Sequence, residues 1–158
     1  MTDKGVTMEQ VERIMAAIAF SRYSEGILRF ASQLAKRLDC QLIVVNVINI
    51  RDMQAVSGIE SMGYKVDPRD YVRSVERERR ETLEKMLKTI DIERDRVKAV
   101  FHVGHPLEML LKTIEEENID MVVMGPKGRT DLRHVLVGSV AEKMFRHCPV
   151  PLVSYRTK

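Results

Sequence analysis

The sequence predicts an α/β protein with a doubly wound, five-stranded parallel sheet and helices on both faces. Five short apolar runs alternate with four segments whose apolar residues recur at helical spacing. The runs are nearly continuous rather than alternating, as expected for strands that are buried on both faces. The order βαβαβαβαβ requires crossover helices, because each strand must return parallel to the one before it.

The predicted strands span residues 14–20, 41–48, 97–103, 119–124 and 150–155. The second run is the clearest, because it is rich in β-branched residues and bounded by polar ones. In the last run, Pro151 lacks a backbone N–H. This strand is therefore predicted to lie at an edge of the sheet, or to pair there with another molecule.

The predicted helices follow the same logic of apolar spacing. The first carries an inward stripe between Ile27 and Leu38, the third begins at Pro106, and the last runs from Ser139 to just before Cys148. The second, over about 70–90, has a stripe made of Val72, Val75, Leu83, Met86, Leu87 and Ile90. Between the second strand and this helix, residues 49–69 lose periodicity and are predicted to form a variable surface loop.

A basic segment at 77–80, Arg-Glu-Arg-Arg, resembles a nucleic-acid patch when it is taken alone. It lies among three (i, i+4) pairs in the favourable order, namely Glu76 with Arg80, Glu81 with Lys85 and Glu84 with Lys88. These pairs favour a solvated helix face. Trp is absent and the aromatic residues are only 4 Tyr and 4 Phe, so no nucleic-acid partner is predicted.

Length and composition predict a single domain over 1–158 with a short tail at 1–11. Charged residues make up 31% of the chain and apolar residues 44%, which is enough for a core. Two cysteines exclude a disulfide framework and favour reduced thiols. Neither a long apolar run nor a signal-like apolar segment is visible, so we expect a cytoplasmic protein with no membrane partner.

The most informative segment follows the fourth strand. Gly125 and Gly128 come directly after it, and Gly138-Ser139 opens the last helix. Glycines let backbone N–H groups approach a ligand closely, and a helix N-terminus favours an anion. The cations between them are Lys127, Arg129, Arg133 and His134. Together these features predict a phosphate-bearing ligand.

Two structural explanations compete with that prediction. Ser139-Val-Ala-Glu142 has the pattern of a capping box, which needs no ligand. Gly125 and Gly128 also suit a tight turn after the strand. Neither a Walker A loop nor Gly-x-Gly-x-x-Gly after the first strand is present, so the two common nucleotide motifs are missing.

The spacing Gly125-x2-Gly128-x9-Gly138-Ser139 resembles the nucleotide-binding signature of the universal stress protein family. Gly104-His-Pro106 before the third helix and Pro149-Val-Pro-Leu-Val153 are also similar to that family. The resemblance implies strand order 3-2-1-4-5, an ATP-binding branch, with or without Mg²⁺, and a homodimer through residues 150–155. It implies that the following residues form the nucleotide site: Ile18, Ala19, Val47, Met124, Gly125, Gly128, Arg129, Gly138, Ser139 and Val140.

Within that set the implied roles differ. The backbone at Gly125, Gly128, Gly138, Ser139 and Val140 would hold phosphates and ribose, and Arg129 would reach a phosphate or the ribose. The backbone around Val47 would bind adenine. Ala19 departs from the family pattern, which usually has an acidic residue there, and a lost hydrogen bond to a buried partner weakens binding by about 1–3 kcal/mol.

Three hypotheses follow. The first is a stress-response regulator in which bound adenine nucleotide changes the surface shown to an unknown protein partner, with at most slow ATP hydrolysis or autophosphorylation. The second is a nucleotide-free dimeric interaction module of the same fold, in which Ala19 records lost binding. The third is a redox flavoprotein on a similar sheet.

Overall fold

The computed structural model describes residues 11–63, 65, 67–127 and 137–156. Strands and helices alternate along the chain, except where two helices follow one another after the second strand, and a 3₁₀ turn lies at Arg94–Arg96. In chain order they are β1 (Arg13–Ala17), α1 (Ser24–Leu38), β2 (Gln41–Asn49), α2 (Ile50–Glu60), α3 (Pro68–Lys88), β3 (Val97–Gly104), α4 (Pro106–Glu116), β4 (Met121–Met124), α5 (Ser139–His147) and β5 (Leu152–Ser154).

The strands form one parallel sheet in the order β3-β2-β1-β4-β5, which confirms the predicted fold class. β1 lies at the centre, where Ala17 pairs with Val45 of β2 and with Met124 of β4. The winding reverses between β1 and β4. In open α/β sheets the crevice at the carboxyl ends of two such strands is where ligands bind.

Two apolar clusters cover the two faces of the sheet. On one face, α1 and α3 pack against alternate strand residues such as Leu42 and Val123. On the other face, α4 and α5 pack against the intervening residues, such as Ile43 and Val122. Burial on both faces explains why the strand sequences are nearly continuous apolar runs.

The 49–69 segment differs from the predicted loop, because α2 occupies Ile50–Glu60. The side chain of Asn49 accepts a hydrogen bond from the Arg51 N–H at 3.0 Å, and Asp52 lies in the first turn. Both features stabilise a helix start. The helix lacks a strong apolar stripe, because most of its described side chains are exposed, and periodicity therefore gave no signal.

The basic segment at 77–80 is not wholly a solvated face, and that prediction was wrong for Arg79. Arg80 does pair with Glu76 at 2.8 Å, as expected. Arg79, however, is 7% exposed and faces the sheet. Glu84 pairs with Arg94 at 2.6 Å rather than with Lys88, because the chain after α3 brings Arg94 alongside the helix.

Candidate functional site

The candidate site is the crevice between the carboxyl ends of β1 and β4. β1 leaves the sheet after Ala17, and residues 18–23 lead into α1. β4 ends at Met124, and the described chain resumes at 137, directly before α5. Ile18, Ala19, Met124, Gly125, Gly138 and Ser139 therefore lie at the edge of the sheet where the winding reverses.

The end of β1 is held by two hydrogen bonds with β2, one in each direction. The N–H of Ile18 donates to the Val45 carbonyl at 3.0 Å, and the Asn46 side-chain Nδ2 donates to the Ile18 carbonyl at 2.7 Å. The next residue but one, Phe20, has φ +53°, a left-handed conformation that costs a non-glycine residue about 1–2 kcal/mol. A strained residue beside a ligand crevice is typical of functional loops.

The turn after Phe20 is built by serines. The Ser21 N–H donates to Ser24 Oγ at 3.0 Å, and the Tyr23 N–H donates to Ser21 Oγ at 3.2 Å. Ser24 itself is fully buried. These bonds give the loop between β1 and α1 a defined shape at the mouth of the crevice.

Gly125 packs closely against α1. A Cβ at this position would lie 2.8 Å from Ile27 Cδ1 on α1 and 3.4 Å from the Lys127 carbonyl oxygen. A side chain here would require the flexible end of the Ile27 side chain to shift. Close packing against α1 therefore favours glycine at this position without any ligand.

The two ends of the segment between β4 and α5 are joined by a backbone hydrogen bond. The Gly138 N–H donates to the Pro126 carbonyl at 2.6 Å, so the start of α5 lies beside the end of β4. Gly138 is the N-cap of α5, with φ −72° and ψ 155°. The helix dipole and the first-turn N–H groups of α5 therefore begin at the crevice.

The predicted capping box is wrong. Its Ser139 lies inside the first turn rather than at the N-cap, and Glu142 pairs instead with Arg146 at 2.8 Å. Within the described residues, no side chain caps the N-terminus of α5. The competing structural explanation for Gly138-Ser139 is therefore removed.

Three further predicted residues share one apolar cluster. Val47, Met124 and Val140 all belong to the cluster between the sheet and α4 and α5. The ends of β2 and β4 and the first turn of α5 are thus brought together on this face. Lys127 is half-buried at the start of the loop. Gly128 and Arg129, like Asp131, Arg133 and His134, lie outside the described residues.

Neither cysteine has the properties of an activated thiol. Burial raises the pKa of Cys40 to about 11, with a smaller contribution from the Asp120 carboxylate. Burial also raises the pKa of Cys148, which is half-buried and whose thiol donates to the Val150 carbonyl at 3.3 Å. Among the residues that the structure describes, no group of three or more His, Cys, Asp or Glu side chains is placed to hold a metal ion.

Sequence reasoning missed two polar residues behind the crevice, Asn46 and Arg79. Both were detectable from the patterns used to predict the helices and strands. Arg79 continues the inward stripe of α3, four residues after Val75 and four before Leu83, and Asn46 interrupts an otherwise apolar buried strand. A polar residue at a core position indicates a partner, because an unpaired buried polar group is costly.

The chain belongs to the universal stress protein family, whose model matches residues 10–156. It is 23% identical over 155 residues to a universal stress protein of Methanocaldococcus jannaschii, covering 93% of this chain and 96% of the relative. The solved structure of that archaeal protein superposes with a TM-score of 0.73 at 24% identity, over 93% of this chain and 96% of the other.

Two further solved structures contain nucleotides. One is a universal stress protein in complex with cAMP, with a TM-score of 0.64 at 17% identity, covering 94% of this chain and 98% of that one. The other is the universal stress protein from Archaeoglobus fulgidus in complex with dAMP, with a TM-score of 0.54 at 18% identity, covering 92% and 98%. At these identities the likeness shows that this chain shares their fold.

Proposed function

We propose that this protein binds an adenine nucleotide, with ATP as the first candidate, in the crevice between β1 and β4. The observation that carries the proposal is the start of α5. Among the described residues no side chain caps its first-turn N–H groups, because the N-cap is Gly138, and the 2.6 Å bond from Gly138 to Pro126 fixes them beside the end of β4. An uncapped helix N-terminus at the switch point of a parallel sheet suits a phosphate.

The residues around this point fit a nucleotide. The helix start and Lys127 supply positive potential, and the apolar cluster shared by Val47 and Val140 offers a surface for a base. Two solved structures of the same fold hold adenine nucleotides, which supports this class of ligand. We assign the nucleotide to Ile18, Ala19, Val47, Met124, Gly125, Gly128, Arg129, Gly138, Ser139 and Val140.

The proposed role is regulation rather than rapid turnover. Phosphoryl transfer needs positioned charge and usually a metal ligand and a group that orients water. In the proposed site the one candidate carboxylate inside the loop is Asp131. We therefore propose a cytoplasmic stress-response protein in which bound ATP, with or without Mg²⁺, changes the surface presented to a protein partner.

Titration calorimetry with ATP tests the proposal on wild type, Gly138→Val and Gly58→Val. A branched side chain at 138 stands beside the first-turn N–H groups, and we expect ATP affinity to fall at least about tenfold, the factor that 1.4 kcal/mol produces. The matched control is Gly58→Val on α2, where a Cβ meets nothing within 4 Å. It should bind like wild type.

A second experiment uses native mass spectrometry to detect any nucleotide bound to the protein as purified. A co-purified adenine nucleotide would support the proposal. The competing function is a nucleotide-free interaction module, and the specific observation in its favour is the neutral Ala19. If wild type carries no co-purified nucleotide and releases or absorbs no heat on titration with ATP, the nucleotide-free interaction module is the correct function.

A further inference from the structure

A buried polar network lies directly behind the proposed nucleotide site. Arg79 Nη1 donates to Asn46 Oδ1 at 2.7 Å, and Asn46 Nδ2 donates to the Ile18 carbonyl at 2.7 Å. Both polar side chains are almost fully buried, with exposures of 7% for Arg79 and 3% for Asn46. The network thus connects α3 through β2 to the last residues of β1.

The same arginine also contacts the residue that follows Ala19. Its guanidinium carbon lies 5.9 Å from the centroid of the Phe20 ring, within the range of a cation–π contact. Phe20 in turn stacks on Phe101 of β3, with centroids 6.3 Å apart and planes at 18°. Phe20 is also the residue in the left-handed conformation. Arg79 therefore supports the 18–20 segment at two points, on either side of Ala19.

The hydrogen bond from Asn46 fixes the direction of the peptide group between residues 18 and 19. In a planar trans peptide the carbonyl and the N–H point in opposite directions. The Ile18 carbonyl points toward β2, because it accepts from Asn46. The N–H of Ala19 therefore points away from β2, toward the β4 side, where the crevice lies.

Asn46 also borders the other wall of the site. It precedes Val47, whose backbone is proposed to bind the base. Its side-chain N–H donates to the Ile18 carbonyl in place of a backbone N–H of β2. One side chain therefore sets the relative position of the end of β1 and the end of β2. Arg79 orients that side chain, because its donation to Oδ1 leaves Nδ2 directed at Ile18.

We propose that Arg79 is a positioning residue for the nucleotide site, which acts through Asn46 and Phe20 to aim the Ala19 N–H into the crevice as a hydrogen-bond donor to the ligand. The inference rests on the proposed nucleotide binding. It makes α3 part of the site, because Arg79 contacts Asn46 and Phe20 from that helix. A shift of α3 between two positions would change the affinity for the nucleotide. By linkage, nucleotide binding would change the equilibrium between those two positions by the same factor.

The test compares Arg79→Met and Asn46→Asp with a matched control, Arg80→Met. Asn46→Asp keeps an acceptor for Arg79 but removes the donor to Ile18. Arg80 is on the same helix and lies 4.4 Å over the Phe101 ring, but its ion pair is with Glu76 on the surface. We expect ATP affinity to fall about tenfold or more in the first two variants and less than about twofold in the control.

Hydrogen exchange of the backbone amides is measured on the same proteins without nucleotide. We expect faster exchange at residues 18–20 in Arg79→Met and Asn46→Asp, with the amides of β4 unchanged. A purely structural role would lower thermal stability and leave the ATP affinity of the folded protein at its wild-type value. That result in both variants would overturn the positioning role.

The two proposals fail in different ways. If wild type binds no ATP, the proposed function fails and the positioning role fails with it. If wild type binds ATP and both variants bind it as tightly as Arg80→Met does, only the positioning role fails.

Discussion

Ala19 is the residue of the proposed site at which this chain departs from the family pattern. It is half-buried at the mouth of the crevice, between the Ile18 carbonyl fixed by Asn46 and the strained Phe20. The family pattern has an acidic residue here, and a carboxylate accepts hydrogen bonds from hydroxyl or amino groups of a nucleotide. An alanine offers the ligand its backbone alone.

Replacing Ala19 with Asp is therefore expected to raise ATP affinity by about tenfold, equivalent to roughly 1.4 kcal/mol, by adding a charged acceptor. Calorimetry measures the dissociation constant. Ala19→Asn is the matched neutral control and should gain less, because hydrogen bonds to charged groups are stronger. Equal affinities for wild type and both variants would contradict a nucleotide contact at residue 19.

For single residues, the sequence predicts the place in the fold better than the side chains that a residue contacts. Gly125, Gly138 and Ser139 lie at the crevice, as their spacing after a strand end predicts. Arg79 was assigned to a solvated face because its neighbours in sequence are charged. Its burial depends on Asn46, a residue of a different element, and such a pairing is a property of three-dimensional packing. In the sequence, the pairing is indicated only by a polar residue at an apolar position, Arg79 in the stripe of α3 and Asn46 in the run of β2.

Asp120, just before β4, joins two strands at the end of the sheet opposite the crevice. Its Oδ2 accepts hydrogen bonds from the N–H groups of Glu12 and Arg13, at 2.8 and 3.0 Å. Arg13 Nη1 also donates to the Glu117 carbonyl after α4 at 2.8 Å. The carboxylate thus holds the start of β1 against the start of β4, far from the crevice.

We expect Asp120→Ala to lower the free energy of unfolding by about 2 kcal/mol, because two backbone N–H groups lose a charged acceptor. Urea denaturation measures this loss. The control is Asp91→Ala, whose side chain is 91% exposed and pairs with Lys36, and it should change stability by less than about 0.5 kcal/mol. ATP affinity should stay at the wild-type value in both variants. A reduced affinity in Asp120→Ala would show that the two ends of the sheet are coupled.

The strands and four of the helices were predictable because burial on one or both faces produces a period in the sequence. α2 was not, because its start depends on the Asn49 side chain and its surface is largely exposed. The capping box failed for a related reason. Its residue pattern is present, but the bond from Gly138 to Pro126 sets the helix start one residue earlier.

For the whole molecule, β4 connects the proposed site to the edge of the sheet. The Met124 carbonyl accepts from the Tyr155 N–H at 2.8 Å, directly after β5, and Met124 itself borders the crevice. Periodicity predicts a parallel sheet but not the order of its strands. The order 3-2-1-4-5 came from the family resemblance, because it is set by which crossovers reverse direction.

The position of β5 at the edge agrees with the prediction from Pro151. The Pro151 carbonyl and the Tyr155 N–H both face β4, so the intervening Leu152 and Ser154 direct their backbone groups outward, to the open edge. Phe145 on neighbouring α5 is 80% exposed. An unpaired edge strand beside an exposed aromatic ring is a surface on which a second copy of the chain can pair.

We therefore propose a homodimer through residues 150–155 and expect Ser154→Pro to dissociate it. Proline removes the outward N–H of residue 154, whereas the flanking bonds to β4 at Pro151 and Tyr155 do not use that N–H and stay intact. Light scattering on a sizing column measures the mass at several concentrations. The matched control Ser154→Ala keeps the N–H and should remain dimeric like wild type. A monomeric wild type, or a Ser154→Pro variant that dimerises as well as Ser154→Ala, would exclude pairing at this edge.

If ATP also strengthens the wild-type dimer, the path through Met124 and Tyr155 gives that coupling a physical basis. Linkage then requires dimerisation to tighten ATP binding by the same factor.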